Sequence, residues 1–185
     1  ADVHLKYRGA KIQGRNMPFD SFAADMDIID GRILLHPVSI GIGQGHIAGT
    51  VEIEPLNGNQ FHTKADVAVQ RVDLGRILKA TKLVGGSGVF GGRAVLETTG
   101  NSVATMLANG NGSLQLTMAG GGDLSALLVD LSGLQFGNAL LAALGIPERD
   151  KIECFVVDFG LQRGELQTRA LLLDTTSNIT SGSGA

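Results

Sequence analysis

The chain has no tryptophan, one tyrosine, one cysteine and four prolines in 185 residues. A single cysteine, Cys154, excludes an internal disulfide, a Cys-x-x-Cys redox pair and a cysteine-rich zinc site. One tyrosine offers little for single-stranded bases to stack on. Charge is also scarce, at 18% of residues, and close to balanced at a net −3. No long-range field draws such a chain to nucleic acid or to an acidic bilayer. The first seven residues have neither the basic nor the apolar region of a signal peptide. The most apolar stretch, 124–146, is broken by Asp130, Gln135 and Asn138, and by Ser132, Gly133 and Gly137. Those residues make bilayer insertion costly, so the stretch reads as a soluble or interfacial helix.

Glycine is abundant: 27 residues, roughly twice ordinary usage, without collagen's every-third-residue period. A hydrophobic content of 43% argues against disorder. One domain over 1–185, burying a single core, is expected.

The dominant rhythm is short alternating runs broken by glycine. Val3, Leu5 and Tyr7 alternate with His4, Lys6 and Arg8, as in a half-buried strand. Residues 19–30 and 32–42 read as a hairpin turning at Asp30-Gly31. Ile47, Val51 and Ile53 alternate with His46, Thr50, Glu52 and Glu54. After a turn at Asn57-Gly58, Phe61, Ala65, Val67 and Val69 alternate with His62, Lys64, Asp66 and Gln70. Links this short build an antiparallel meander, because parallel pairing needs long crossovers. Asp73 starts a short helix over 74–80, and Ser102 a second over 103–108. Strands are expected over 89–99 and 113–119, with Asn109 to Gly112 ending the second helix. Gly120 to Asp123 reads as the cap of the segment 124–146, where Leu124, Leu127, Leu128, Leu131 and Leu134 form a stripe. Two long strands, 152–162 and 165–173, join at Arg163-Gly164, and a last strand starts near Asn178.

Two hairpin units share one spacing, Gly31 to Gly49 and Gly164 to Gly182, eighteen residues each. Repetition of this kind extends a sheet unit by unit. The fold class expected is mainly β with short helices: a curved, extended antiparallel sheet forming an apolar groove, with a helical segment around 124–146. Around Cys154 both strand faces are apolar, with Ile152, Cys154 and Val156 on one and Phe155, Val157 and Phe159 on the other. A strand buried on both sides needs two covers. The segment 124–146 supplies one; another sheet, the opposite wall of a curved sheet or a ligand supplies the second.

Chemistry is thin. The four histidines, His4, His36, His46 and His62, lack metal-ligand spacing and read as solvent-facing strand residues. Gly86-Ser87-Gly88-Val89-Phe90-Gly91 fits the dinucleotide fingerprint in letters only, since a helix precedes it and a strand follows. Asn111-Gly112-Ser113 and Asn178-Ile179-Thr180 fit a glycosylation sequon that is common by chance. Asp25 and Asp27, near Asp30, fall on one strand face and read as solvated rather than calcium-binding. Cys154 reads as a small buried hydrophobe. With no nucleophile–base pair legible, the chain is read as a non-enzyme without cofactor or metal.

Several loose patterns follow one another: Leu114-Gln115-Leu116 with Gly120-Gly121-Gly122-Asp123-Leu124-Ser125, then Cys154-Phe155-Val156-Val157-Asp158-Phe159, then Arg169-Ala170-Leu171-Leu172-Leu173-Asp174-Thr175, closing on Ile179-Thr180-Ser181-Gly182-Ser183-Gly184. Their order resembles the C-terminal region of AsmA-family envelope proteins, so 1–185 reads as a single AsmA-like C-terminal domain. Upstream, Asp30-Gly31-Arg32-Ile33-Leu34-Leu35-His36-Pro37-Val38 resembles the same family's repeated Asp-Gly-Arg-Leu hairpins, and Val72-Asp73-Leu74-Gly75-Arg76-Ile77-Leu78 its Asp-Leu-Gly-Arg-Leu segment. The likeness covers most of 19–184.

The resemblance implies a Gram-negative periplasmic protein held in the inner membrane by an N-terminal anchor absent from this chain, which then reads as an excerpt. Its function would be non-enzymatic: envelope biogenesis, binding or conducting phospholipid or another acyl-chain ligand along an apolar β-groove between inner and outer membrane. The candidate lining residues are Ile47, Val51, Ile53, Phe61, Ala65, Val67, Val69, Phe155, Val157 and Phe159, for which plain core packing is the competing explanation. The alternative function is a scaffold that assists outer-membrane protein assembly, with envelope proteins as partners and exposed sheet edges as the contact.

Overall fold

The computed structural model describes residues 2–12, 19–80, 87–123 and 151–184. The first five strands are β1 (Val3–Ala10), β2 (Ser21–Ile29), β3 (Arg32–Ile42), β4 (Gly45–Leu56) and β5 (Gln60–Asp73). After helix α1 (Leu74–Ala80) comes β6 (Ser87–Gly100), and after helix α2 (Val103–Ala108) come β7 (Asn111–Asp123), β8 (Ile152–Gln162), β9 (Glu165–Thr175) and β10 (Ile179–Gly184). The strands form one antiparallel sheet in chain order, open at β1 and β10 rather than closed into a barrel.

Turn chemistry dictates the meander. At Asp30-Gly31 φ is 50° and 81°, and at Arg163-Gly164 it is 49° and 78°. Ile29 faces Arg32 and Gln162 faces Glu165, so both loops have two residues. Two successive left-handed residues make the turn whose twist matches the flanking strands. Pro37 stands inside the sheet without an N–H to give the ladder. The ladder slips there: Leu35 faces Val51 and Val38 faces Gly49, so two residues oppose one in the kind of bulge that tolerates proline.

Helix starts follow the expected caps. The Asp73 carboxylate accepts the Gly75 amide at 2.8 Å, and Ser102 and Thr105 form a reciprocal capping box for α2. Gly120 to Asp123 do not cap a helix: they continue β7, which slips against β8 at a Gly121 of φ 81°. Asn111 and Gly112 likewise begin β7 rather than end α2. The expected helix over 124–146 lies outside the described residues. Among those residues, no helix is long and apolar enough to cross a membrane.

Side chains alternate along a strand, so the register sorts every paired residue onto one of two faces. In β6 the sorting is visible as burial, with Arg93, Val95 and Glu97 exposed, Ala94 and Leu96 half-buried, and Thr98 buried. The tightest packing joins Met118, Ile152 and Leu173, flanked by Phe90 and Phe155. Ile152 belongs to this face and not, as alternation suggested, with Cys154 and Val156. A slip in the β8–β9 ladder between Ile152 and Cys154 turns it over. Backbones also draw close on this side: a Cβ at Gly49 would overlap the Asp66 carbonyl oxygen of β5, and one at Gly112 the Val95 carbonyl of β6. Only glycine permits that approach, which is how sheets are made to bend.

Candidate functional site

One line of cross-strand neighbours crosses the whole sheet. It runs Gly9, Phe22, Ile40, Ile47, Val69, Gly92, Leu116, Val157, Leu171 and Gly182. A parallel line runs Tyr7, Ala24, Val38, Gly49, Val67, Ala94, Leu114, Phe159 and Thr168 on one side of it. Beyond that, Leu5, Met26, Leu35, Val51, Ala65, Leu96, Gly112 and Leu161 form a third. Nine strand spacings make the first line roughly 43 Å long. No charged side chain stands on this face at any paired position; its polar atoms are hydroxyls such as those of Tyr7, Thr63 and Thr98.

The opposite face is laced with charge. Arg8 meets Asp25 at 2.5 Å, Lys64 meets Glu97 at 3.5 Å, and Arg32 pairs with Glu52. Arg93 grips Asp66 through two hydrogen bonds of 2.8 and 2.5 Å. The hydrogen bonds from Arg8 and Arg93 hold the Asp25 and Asp66 carboxyls below their ordinary values. At the sheet's end the Gly43 amide, and then Arg76, do the same for Asp20, tying α1 to the β3–β4 turn. These are surface pairs, each of small energetic worth, that keep this face wet.

Asp25 and Asp27 are thus paired rather than merely solvated, with Asp27 accepting His4 at 2.6 Å. Among the described residues, no group of three or more metal-ligating side chains gathers. Cys154 shares the charged face and is half-buried, not a core residue.

All ten sequence-derived candidates stand on the uncharged face, and the register joins the two clusters. In β4 and β5, Ile47 faces Val69, Val51 faces Ala65, and Val67 faces Gly49. Ile53 and Phe61 lie nearer the Pro55 end of that pair, where Phe61 is 37% exposed. In β8, Val157 is buried between Leu116 and Leu171, while Phe155 flanks the Met118 core and Phe159 faces Leu114.

One opening on this face involves none of the ten. Leu5, Tyr7, Phe22, Ala24, Met26 and Leu35, with Ile12 and Phe19, line an apolar hollow of about 630 Å³ beside β1. That volume lies in the range of small-molecule sites. The rings of Tyr7 and Phe22 stand 5.8 Å apart at its wall. The alternation of Val3, Leu5 and Tyr7 carried the signal. An edge strand leaves such side chains half exposed: they are 47, 50 and 50% open.

No solved structure gives a significant match to this chain. A curated relative, the AsmA family protein YhjG of Escherichia coli (strain K12), is 25% identical over 189 residues that take in 99% of this chain. The chain spans 27% of that relative's length. The family model described as the AsmA family matches residues 1–171, so the chain belongs to the AsmA family.

Proposed function

We propose that the uncharged face binds lipid acyl chains and serves as a segment of a path for phospholipid between the inner and outer membranes. Membership of the AsmA family supports an envelope-related function; the lipid role is our reading of the sheet. The observation that carries it is a set of charge-free lines, one of which crosses all ten strands, backed by a face full of ion pairs. An acyl chain leaving a bilayer exposes surface worth about 0.8 kcal/mol per CH₂, so a sixteen-carbon tail costs on the order of 10 kcal/mol in water. A continuous apolar strip offsets that cost at every position along it. It needs no directional bond. On this reading the protein works in the periplasm without chemical turnover, as part of a longer protein anchored in the inner membrane.

The test is binding. The 185-residue chain is purified gently and examined by native mass spectrometry, then delipidated and offered phosphatidylethanolamine–phosphatidylglycerol vesicles carrying a labelled phospholipid. Bound phospholipid, or labelled lipid transferred to the protein, is expected. A protein that purifies free of lipid and extracts none from vesicles overturns the reading.

A further inference from the structure

We infer that Arg71 and Asp73 form a site for a zwitterionic phosphoethanolamine headgroup, with the phosphate on the guanidinium and the ammonium on the carboxylate. The inference rests on the phospholipid reading above and names the headgroup of the lipid.

Arg71 is set apart by its backbone. Of the five non-glycine residues with positive φ among the described residues, it alone lies within a strand, at φ 53°. The ladder slips there: Val69 faces Gly92 and Val72 faces Phe90, so Gln70 and Arg71 together oppose Gly91. The Arg71 carbonyl presses on Gly45, where a Cβ would stand 2.1 Å from its oxygen. A long side chain adopts this conformation at a cost, and only where its surroundings fix it.

Its charge is also unspent. Seven arginines fall among the described residues, and five of them meet a carboxylate: Arg8, Arg32, Arg76, Arg93 and Arg169. Arg163, in its hairpin turn, and Arg71 do not. Arg71 is exposed and, with Gly43, Gln44, Asp73, Arg76 and Val89, lines a concavity of about 300 Å³, at the lower end of ligand-site volumes. Arg76 spends two hydrogen bonds on Asp20, and one Asp73 oxygen accepts the Gly75 amide. Among these described groups two cations and two carboxylates cancel, yet Arg71 pairs with neither carboxylate. Separated charges without a net charge suit a ligand built the same way, a phosphate joined through two carbons to an ammonium. A guanidinium gives a phosphate oxygen strong, charge-assisted hydrogen bonds. Val69, in the first apolar line, lies two residues from Arg71, about 7 Å along the strand. A headgroup at Arg71 therefore leaves its tails within reach of that line.

Dihexanoyl phosphatidylethanolamine and dihexanoyl phosphatidylglycerol, each below its micellar concentration, are titrated into the ¹⁵N-labelled 185-residue chain. Glycerophosphoethanolamine supplies the same headgroup without tails. The ethanolamine lipid is expected to bind more tightly than the glycerol lipid and to shift the amides of 43–45 and 70–75. Arg71→Asn, a residue that suits the left-handed backbone, is expected to weaken it about tenfold, the worth of one charge-assisted hydrogen bond. Arg163→Asn removes an unpaired arginine from the same backbone conformation and is expected to change nothing. Asp73→Asn keeps a capping side chain for α1 and is expected to abolish the preference between the two lipids. Lipid binding undiminished by Arg71→Asn, an equal loss with Arg163→Asn, equal affinity for the two lipids, or a preference that survives Asp73→Asn would overturn the inference and leave the acyl-chain path standing. Shifts at 43–45 and 70–75 from glycerophosphoethanolamine, with neither lipid bound more tightly than this tail-free headgroup, would keep the site and remove the path.

Discussion

Ile47 in β4 and Val157 in β8 occupy one line across the sheet, linked through Val69, Gly92 and Leu116. They differ in burial, Val157 being 2% exposed and Ile47 half-buried. That difference separates packing from binding. Val157→Asp buries an unpaired charge at a cost of several kcal/mol, and should leave no cooperative thermal transition. Val67→Asp, in the neighbouring line and half-buried, should cost about 1–3 kcal/mol and leave the β circular-dichroism spectrum in place. Lipid binding by this folded variant should be lost. Undiminished lipid binding by folded Val67→Asp would remove that stretch of the face from the path.

The close approach at Gly49 predicts a sharp contrast between two glycines of the same face. Gly49→Ala drives a methyl group into the β5 backbone at Asp66, whereas a Cβ at Gly182 meets nothing within 4 Å. Overpacking of this kind typically costs 1–3 kcal/mol. For a chain of this size that is a fall of roughly 2–12 °C in Tm for Gly49→Ala, against almost no change for Gly182→Ala. Equal melting temperatures for the two variants would mean that the strands do not draw together at Gly49.

Much of the fold was legible because its turns are short and chemically explicit. Asp30-Gly31 and Arg163-Gly164 announce two-residue hairpins, and strict alternation in 61–69 gathers Phe61, Ala65, Val67 and Val69 on one face, as the register does. The errors arose where the period of two fails. Bulges are invisible to alternation, so Ile152 was assigned to the wrong face, and the run of glycines at 120–122 read as a cap when it is a slipped end of β7. The hollow beside β1 was missed for another reason. Its residues come from three strands and two flanking segments, and only the register shows that they meet.

The carboxylates predict how stability responds to acid. Hydrogen bonds hold Asp20, Asp25 and Asp66 below the ordinary aspartate value in the folded chain. A group lowered by folding contributes stability that is present above its unfolded value, near 3.9, and lost as pH falls through the folded value. The urea midpoint should therefore hold from pH 7 to about 5 and drop below about 4. Asp20→Asn, which gives up the Arg76 pair, should lower the midpoint at pH 7 and flatten the drop. A midpoint that rises on acidification would contradict the folded-state pairing.

Helix α2 rests on a local device. Ser102 accepts the Thr105 amide at 3.2 Å, and the Thr105 hydroxyl accepts the Ser102 amide at 3.1 Å. Ser102→Ala should cost about 1 kcal/mol, and Ser102→Asp, another strong cap, should recover most of it. Hydrogen exchange at 105–109 reads this out. The amides should lose protection in the first variant and regain it in the second, and unchanged protection in both would place the helix's stability elsewhere.

The scarcity of aromatic residues supplies a reporter for the hollow. Tyr7 is the sole tyrosine, there is no tryptophan, and its ring lines that space opposite Phe22. Near-ultraviolet emission of the intact chain therefore comes from one side chain on the uncharged face. A phospholipid brominated along its acyl chains quenches only on close contact, so filling of the hollow should darken Tyr7 in a saturable manner, while the unbrominated lipid should not. The driving force is burial of CH₂ groups at about 0.8 kcal/mol each, and Met26→Asp, a carboxylate on the hollow's wall, should abolish the quenching without removing the reporter. Moving the reporter with Tyr7→Phe and Phe61→Tyr asks whether the same lipid reaches the Pro55 end of β4 and β5. Quenching at both positions marks a continuous path, and quenching at Tyr7 alone marks a closed site beside β1. Lipid that binds by mass spectrometry yet quenches neither position would move the acyl chains off this face altogether.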